Sequence, residues 1–235
     1  DGGYRPEAPR NLALNHTNRN QNPVMHLFEA LLALVEATND ELAKEGARSV
    51  GNFVLYKLLQ GAEDGSASIP EWYDEHWKPL PTAEAGGYTD LGHQFEWVHL
   101  LMTGDRLGIS PMFGPSAERI LKYALKTGFD DQEGGVFQRQ TPDGKVDRDK
   151  YWWQQAEGIR ACMLAAQLAG RNDLWRRYEQ SVSLVKSELV EAAGGTWKFA
   201  AKRTCEQRGC SRDRIEPYHM VALHMAALEL EKAGR

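Results

Sequence analysis

The chain has 235 residues, 42% hydrophobic and 26% charged, with a formal net charge of −5. That composition supports a folded core and lacks the basic excess that binding to nucleic acid or an anionic membrane surface requires. No apolar run reaches the ~20 residues of a membrane span and the start lacks a basic-then-apolar leader, so a cytoplasmic protein without membrane partners is expected.

Residues 25–38 place Phe28, Leu31, Leu32 and Val35 on one stripe and predict a first helix. Asn39-Asp40 supplies a stop and the next N-cap, after which Leu42, Ala43, Val50, Val54 and Leu58 carry a second helix to about residue 60. The two read as an αα-hairpin with a very short connection. Residues 61–91 hold Pro70, Pro79, Pro81 and four glycines beside Trp72, Tyr73 and Trp77, a long aromatic loop expected to pack over a site. A third helix starts at Gly92, and a fourth opens at Pro115-Ser116 and runs to about residue 126. A Gly-rich loop with room for a short hairpin leads to helix five, residues 151–168, and helix six spans 173 to about 190. The last helix follows Pro217 and covers 218–231.

The expectation is an all-α chain of about seven helices forming one domain over residues 1–235. Short connections alternating with long ones suit a layered ring of helical hairpins with the long loops at one end. A closed ring of six hairpins needs about twelve helices, so this chain holds a little over half of one. Three cysteines make no disulfide framework at this size, and Cys162 reads as a small core residue. Cys205, Cys210 and His219 fit no common zinc spacing, so no metal is expected. Lys202, Arg203, Arg208, Arg212 and Arg214 are diluted by acidic neighbours and read as a solvated loop.

Chemistry concentrates at one phase of this pattern. His26, His93, Trp153 and His219 open the odd-numbered helices at separations of 67, 60 and 66 residues. Within the third helix His93, Glu96 and Trp97 share a face: an imidazole that exchanges protons near neutrality, a carboxylate that can fix its tautomer, and a flat indole. The same residues are open to a plainer reading as a capping histidine, a surface carboxylate and a core tryptophan. His26 falls in a first helical turn, where the macrodipole disfavours the imidazolium. Each residue alone is ordinary; their common phase is what points to a shared pocket. His99 and His224 lie deeper in their helices and His16 and His76 lie in loops, so these four read as structural or surface groups. No phosphate-cradling loop, dinucleotide fingerprint, zinc-protease or nucleophile-elbow motif is present, and no cofactor is implied.

These residues carry a resemblance. The run Asn22-Pro23-Val24-Met25-His26-Leu27-Phe28-Glu29-Ala30, then Gly92-His93-Gln94-Phe95-Glu96-Trp97, Trp153-Gln154-Gln155-Ala156-Glu157 and Tyr218-His219 resemble the N-acylglucosamine 2-epimerase superfamily, which includes mannose isomerases and cellobiose 2-epimerases. The likeness covers about the C-terminal 60% of that fold. It implies an (α/α)6 barrel, acid–base roles for His93 and His219, and substrate-pocket positions for Asn22, His26, Glu96, Trp97 and Trp153. The implied reaction moves the C2 proton of a free aldose through a cis-enediol(ate) without cofactor. The family's first helices are absent, which implies a preceding segment or complementation by a second copy. Two other readings stay open: a glycoside hydrolase using Glu96 and Glu157, and a non-catalytic carbohydrate-binding fragment.

Overall fold

The computed structural model describes residues 3, 10, 18–191, 195–208 and 215–232. His16, Cys210, Arg212 and Arg214 fall outside the described residues. The architecture is all-α: α1 (Asn22–Thr38), α2 (Glu41–Phe53), α3 (Leu91–Arg106), α4 (Phe113–Tyr123), α5 (Trp152–Leu168), α6 (Asp173–Leu184), α7 (Lys202–Arg208) and α8 (Tyr218–Lys232). The strands are two residues long and sit in the loops. Among the described residues no helix is long and apolar enough to cross a membrane.

The predicted hairpin between α1 and α2 is present, and its connection is written in two residues. Asn39 takes the left-handed conformation (φ 55°) and its N–H returns to the Val35 carbonyl, ending α1. Asp40 then accepts from the Ala43 N–H at 2.8 Å and starts α2. α1 begins three residues earlier than predicted because Pro23 fits the first helical turn, where its missing N–H costs nothing.

The second, fourth and sixth helices end differently from the expectation of continuous α-helix. Each runs into a five-residue π-helical turn: Val54–Leu58, Ala124–Gly128 and Val185–Leu189. Each turn is followed at once by an antiparallel pairing, Gln60 with Ser68 and Gly61 with Ala67, Phe129 with Val136, and Val190 with Trp197. The sequence repeat is thus a repeat of structure, covering the helix end and the first bend of each long loop. α7 is a short helix where a solvated loop was expected, and within it Cys205 is disulfide-bonded.

Contacts divide the chain into two compact units, Asp1–Asp90 with Leu100–Tyr123 and Gln140–Lys145, and Leu91–His99 with Ala124–Arg139 and Val146–Arg235. In the first, Phe28 meets Phe113 edge-on at 5.5 Å, and both are fully buried. The aromatic loop closes this unit's own core: Trp77 packs on Phe53 at 4.9 Å and on Tyr73 at 5.7 Å. Trp77 and Tyr73 are therefore core residues rather than a cover for a site. The unit also encloses Glu71, which accepts from Asn20 Nδ2 at 3.1 Å and Gln21 Nε2 at 3.0 Å. In the second unit α5 packs against α6 and α8. Nearly all of α5 is buried, including Gln154, Gln155 and Glu157. Cys162 lies fully inside, where burial pushes its thiol up to about 12, an inert core residue as expected.

Candidate active site

Two N-termini in the second unit, those of α3 and α5, are fixed by one loop. The Gln138 carbonyl accepts from the Leu91 N–H at 3.0 Å and from Gln154 Nε2 at 2.9 Å, tying the starts of both helices to the same strand-like segment. Gln155 completes the attachment by imitating a neighbouring strand. Its amide oxygen accepts from the Val136 N–H at 2.7 Å and its Nε2 donates to the Val136 carbonyl at 2.8 Å. Gly92 lets the helices meet closely: a Cβ there would lie 2.5 Å from Gln154 Cγ and 2.8 Å from Trp153 Cζ3.

Below this junction Lys150 pins the preceding loop. Its ammonium, almost fully buried, donates to Asp130 Oδ2 and to the Gly134 carbonyl, both at 2.8 Å. Burial, the largest single influence on Asp130, pulls its carboxyl up, but Lys150 and the N–H groups of Glu133 and Gln132 together hold it below the ordinary 3.8.

The clamped helices present His93 and Trp153, and α8 adds Tyr218 and His219. The His93 ring lies 4.9 Å from the Trp153 ring and His219 lies 5.2 Å from it, centroid to centroid, which keeps the two imidazoles within about 10 Å of one another. Trp152 meets His219 edge-on at 5.7 Å and Tyr218 does so at 4.6 Å. Glu157, wholly buried, bonds His219 Nδ1 through Oε1 at 2.8 Å. Its other oxygen faces Arg160 Nη1 at 3.5 Å. Glu96 is equally buried and accepts from the Tyr218 hydroxyl at 3.4 Å.

One donor atom each from Glu96, Glu157 and His219 lies within 4.8 Å of the other two. Of these contacts Glu157–His219, at 2.8 Å, is short enough to pass a proton directly. A cation shared by the three would also meet the charge of the Arg160 guanidinium, 3.5 Å from Glu157 Oε2. With Glu157 accepting at Nδ1, the neutral tautomer carries its proton there and leaves Nε2 as a bare base.

The structure thus groups His93, Glu96, Trp153 and His219 in one unit, with Trp97 fully buried in the core of the same unit. Asn22 and His26 belong to the other unit, at the start of α1. There the Asn22 N–H donates to Asn20 Oδ1 at 2.7 Å, and His26 Nδ1 lies 3.1 Å from Glu29 Oε2. His99 is buried, while His76 and His224 are exposed, in line with the structural and surface roles expected of them. Glu157 as the partner of His219, and Arg160 behind it, were not read from the sequence as a pair. Their i, i+3 spacing on a buried helix was the available signal.

The family model for N-acylglucosamine 2-epimerase matches residues 2–222. The chain belongs to that family. Within the family it is 27% identical to a D-mannose isomerase of Marinomonas mediterranea over 189 residues, which is 76% of this chain and 47% of that protein. A crystal structure of a D-mannose isomerase superposes with a TM-score of 0.85 at 22% identity, over 97% of this chain and 61% of that one. A cellobiose 2-epimerase from Bacillus thermoamylovorans B4167 superposes with a TM-score of 0.74 at 17% identity, over 90% of this chain and 53% of that one. The all-α fold expected from the family resemblance is the one these structures share. The chain spans about half the length of the curated relatives it matches.

Proposed function

We propose that this chain carries the acid–base centre of a carbohydrate isomerase or 2-epimerase, with His93 and His219 as the two proton-transferring groups. The observation that carries the reading is the pair of imidazoles in contact with one indole, one of them held at Nδ1 by a buried carboxylate. Trp153 offers a flat apolar face for the C–H side of a sugar ring, and Glu96 and Tyr218 offer hydrogen bonds to its hydroxyls.

In the opened aldose, His219 Nε2 takes the C2 proton, and the electrons of that C–H bond form the C1–C2 double bond of an enediolate as the carbonyl oxygen becomes anionic. Return of a proton to the opposite face of C2 from His93 gives the epimer and restores the carbonyl. Delivery to C1, with the hydroxyl proton of O2 passing to O1, gives the ketose instead. Each group supplies about 10²–10⁴-fold. A free mannose-type aldose is the favoured substrate, because the relatives matched over most of this chain include D-mannose isomerases. Asn22 and His26 are proposed as substrate-pocket residues, and the complete catalyst as this chain joined by further helices or by a second copy, in the cytoplasm.

The hydrolase reading is weaker. Paired carboxylates in glycosidases stand about 5–9.5 Å apart across the scissile bond. Here Glu96 and Glu157 have oxygens within 4.8 Å, both are enclosed, and Glu157 is committed to His219 and Arg160.

The test is ¹H NMR of the protein with mannose, glucose, N-acetylmannosamine and cellobiose in D2O. The expected result is a new sugar carrying deuterium, absent with His93→Ala and with His219→Ala. Conversion that survives both substitutions, or release of a reducing end from a glycoside, overturns the assignment.

A further inference from the structure

Arg160 stands one step behind the residues that the reaction uses. It lies one helical turn beyond Glu157 on α5, its side chain is only 11% exposed, and its Nη1 is 3.5 Å from Glu157 Oε2. Neither its Nε nor its Nη1 has a hydrogen-bond partner, and Glu157 Oε2 has none either. A guanidinium buried at such cost, with no hydrogen bond to repay it through those atoms, contributes through its charge.

We propose that Arg160 is a positioning residue whose charge holds the Glu157–His219 pair in the one protonation state that leaves His219 Nε2 bare. This deepens the acid–base reading of His219 and rests on it.

Charge balance around Glu157 links the two residues. With Arg160 present, ionised Glu157 and neutral His219 form a site with no net charge. Without it the same two groups carry one negative charge centred on the buried Glu157, and the pair takes up a proton to relieve it. That extra proton has two resting places. On the ring it makes an imidazolium with both nitrogens protonated. On Glu157 it turns the carboxyl into the donor to Nδ1 and drives the ring to its other tautomer, with the proton on Nε2. Both states protonate Nε2, so base strength is lost whichever one prevails, and the apparent pKa belongs to the pair.

The other groups around His219 do not substitute for Arg160. Glu96, from α3, adds negative charge when ionised and deepens the demand for a cation. Tyr218, from α8, donates to Glu96. His93 stands across the Trp153 ring, and Trp152 and Trp153 are neutral. Among these neighbours Arg160 is the permanent positive charge.

The experiment compares Arg160→Gln and Arg160→Lys with the parent chain. Each is followed by ¹⁵N NMR of the imidazole nitrogens of His219, assigned by loss of its signals in His219→Ala, and by the pH dependence of kcat/KM. With Arg160→Gln the pair is expected to take up its extra proton about 1–3 pH units higher than in the parent, and the acid limb of kcat/KM to move up by the same interval. Arg160→Lys, which keeps the charge, is expected to leave both near their parent positions. An unchanged His219 titration in folded Arg160→Gln overturns the proposal, as does an equal displacement by Lys. If Arg160→Gln does not fold, the lysine variant decides: retention of the parent titration supports the charge role and a displaced one overturns it. The NMR arm needs no substrate. Absent turnover in every protein would sink the proposed reaction while leaving the coupling between Arg160 and His219 measured.

Discussion

Glu71 in the first unit and Glu157 in the second are both buried and both take part in long-range hydrogen bonds, yet the two are held by different chemistry. Glu71 receives a side-chain amide on each oxygen, from Asn20 and Gln21. Glu157 receives an imidazole on one oxygen and faces a guanidinium with the other. Amides do not titrate, so that contact at Glu71 fastens the chain segment before α1 to the loop after α2. An imidazole can take or give a proton, so in the proposed reaction the bond at Glu157 bears on where that proton rests. Equal burial therefore serves a fastener in one unit and, in the proposed reaction, a proton relay in the other.

The contrast is broken most directly by substituting both residues with glutamine. Glu157→Gln is expected to lower turnover about 10²–10⁴-fold, as loss of an acid–base partner does, with the fold retained by circular dichroism. Glu71→Gln is expected to leave turnover per folded molecule unchanged and to lower unfolding free energy by about 1–3 kcal/mol in urea, because an amide hydrogen now points at an amide donor. Equal effects of the two on turnover would erase the distinction.

Lys150 sharpens it from within the second unit, as a buried charge with a fastening role. Lys150→Met leaves Asp130 without its partner and is expected to cost about 3–5 kcal/mol, read from the urea midpoint. Gly92→Ala drives a methyl group into Gln154 and Trp153 and is expected to cost about 1–3 kcal/mol, with a change in near-ultraviolet circular dichroism as the indole shifts.

The smallest effect is with acid. Asp130 has its folded pKa held below 3.8, so its contribution to stability is complete above that value and disappears as pH falls through the lower folded one. Unfolding midpoints of the parent are expected to fall in that acid range more steeply than those of Asp130→Asn.

Much of this was legible locally. The Asn39-Asp40 boundary could be read because a left-handed cap and an Asp N-cap are made by neighbours in sequence. The phase of His93, Trp153 and His219 could be read because helix starts repeat. What was hidden depends on distant partners. Gln154 and Gln155 look like polar interruptions of an apolar helix until Gln138 and Val136 arrive to bind them. Glu157 was visible as a carboxylate but not as the partner of a residue 62 positions later. The π turns and α7 have no pattern of their own that separates them from an α-helix end and a charged loop.

Those π turns have an engineering consequence. A five-residue turn and the cross-strand pairing after it form a standard socket, used at Val54–Leu58, Ala124–Gly128 and Val185–Leu189 alike, from which loops of quite different content are launched. An exchange of the insert between one socket and the helix that follows, α3, α5 or α8, therefore keeps its launch point but must retain what the core borrows from it: Trp77 in the first loop and Gln138 in the second.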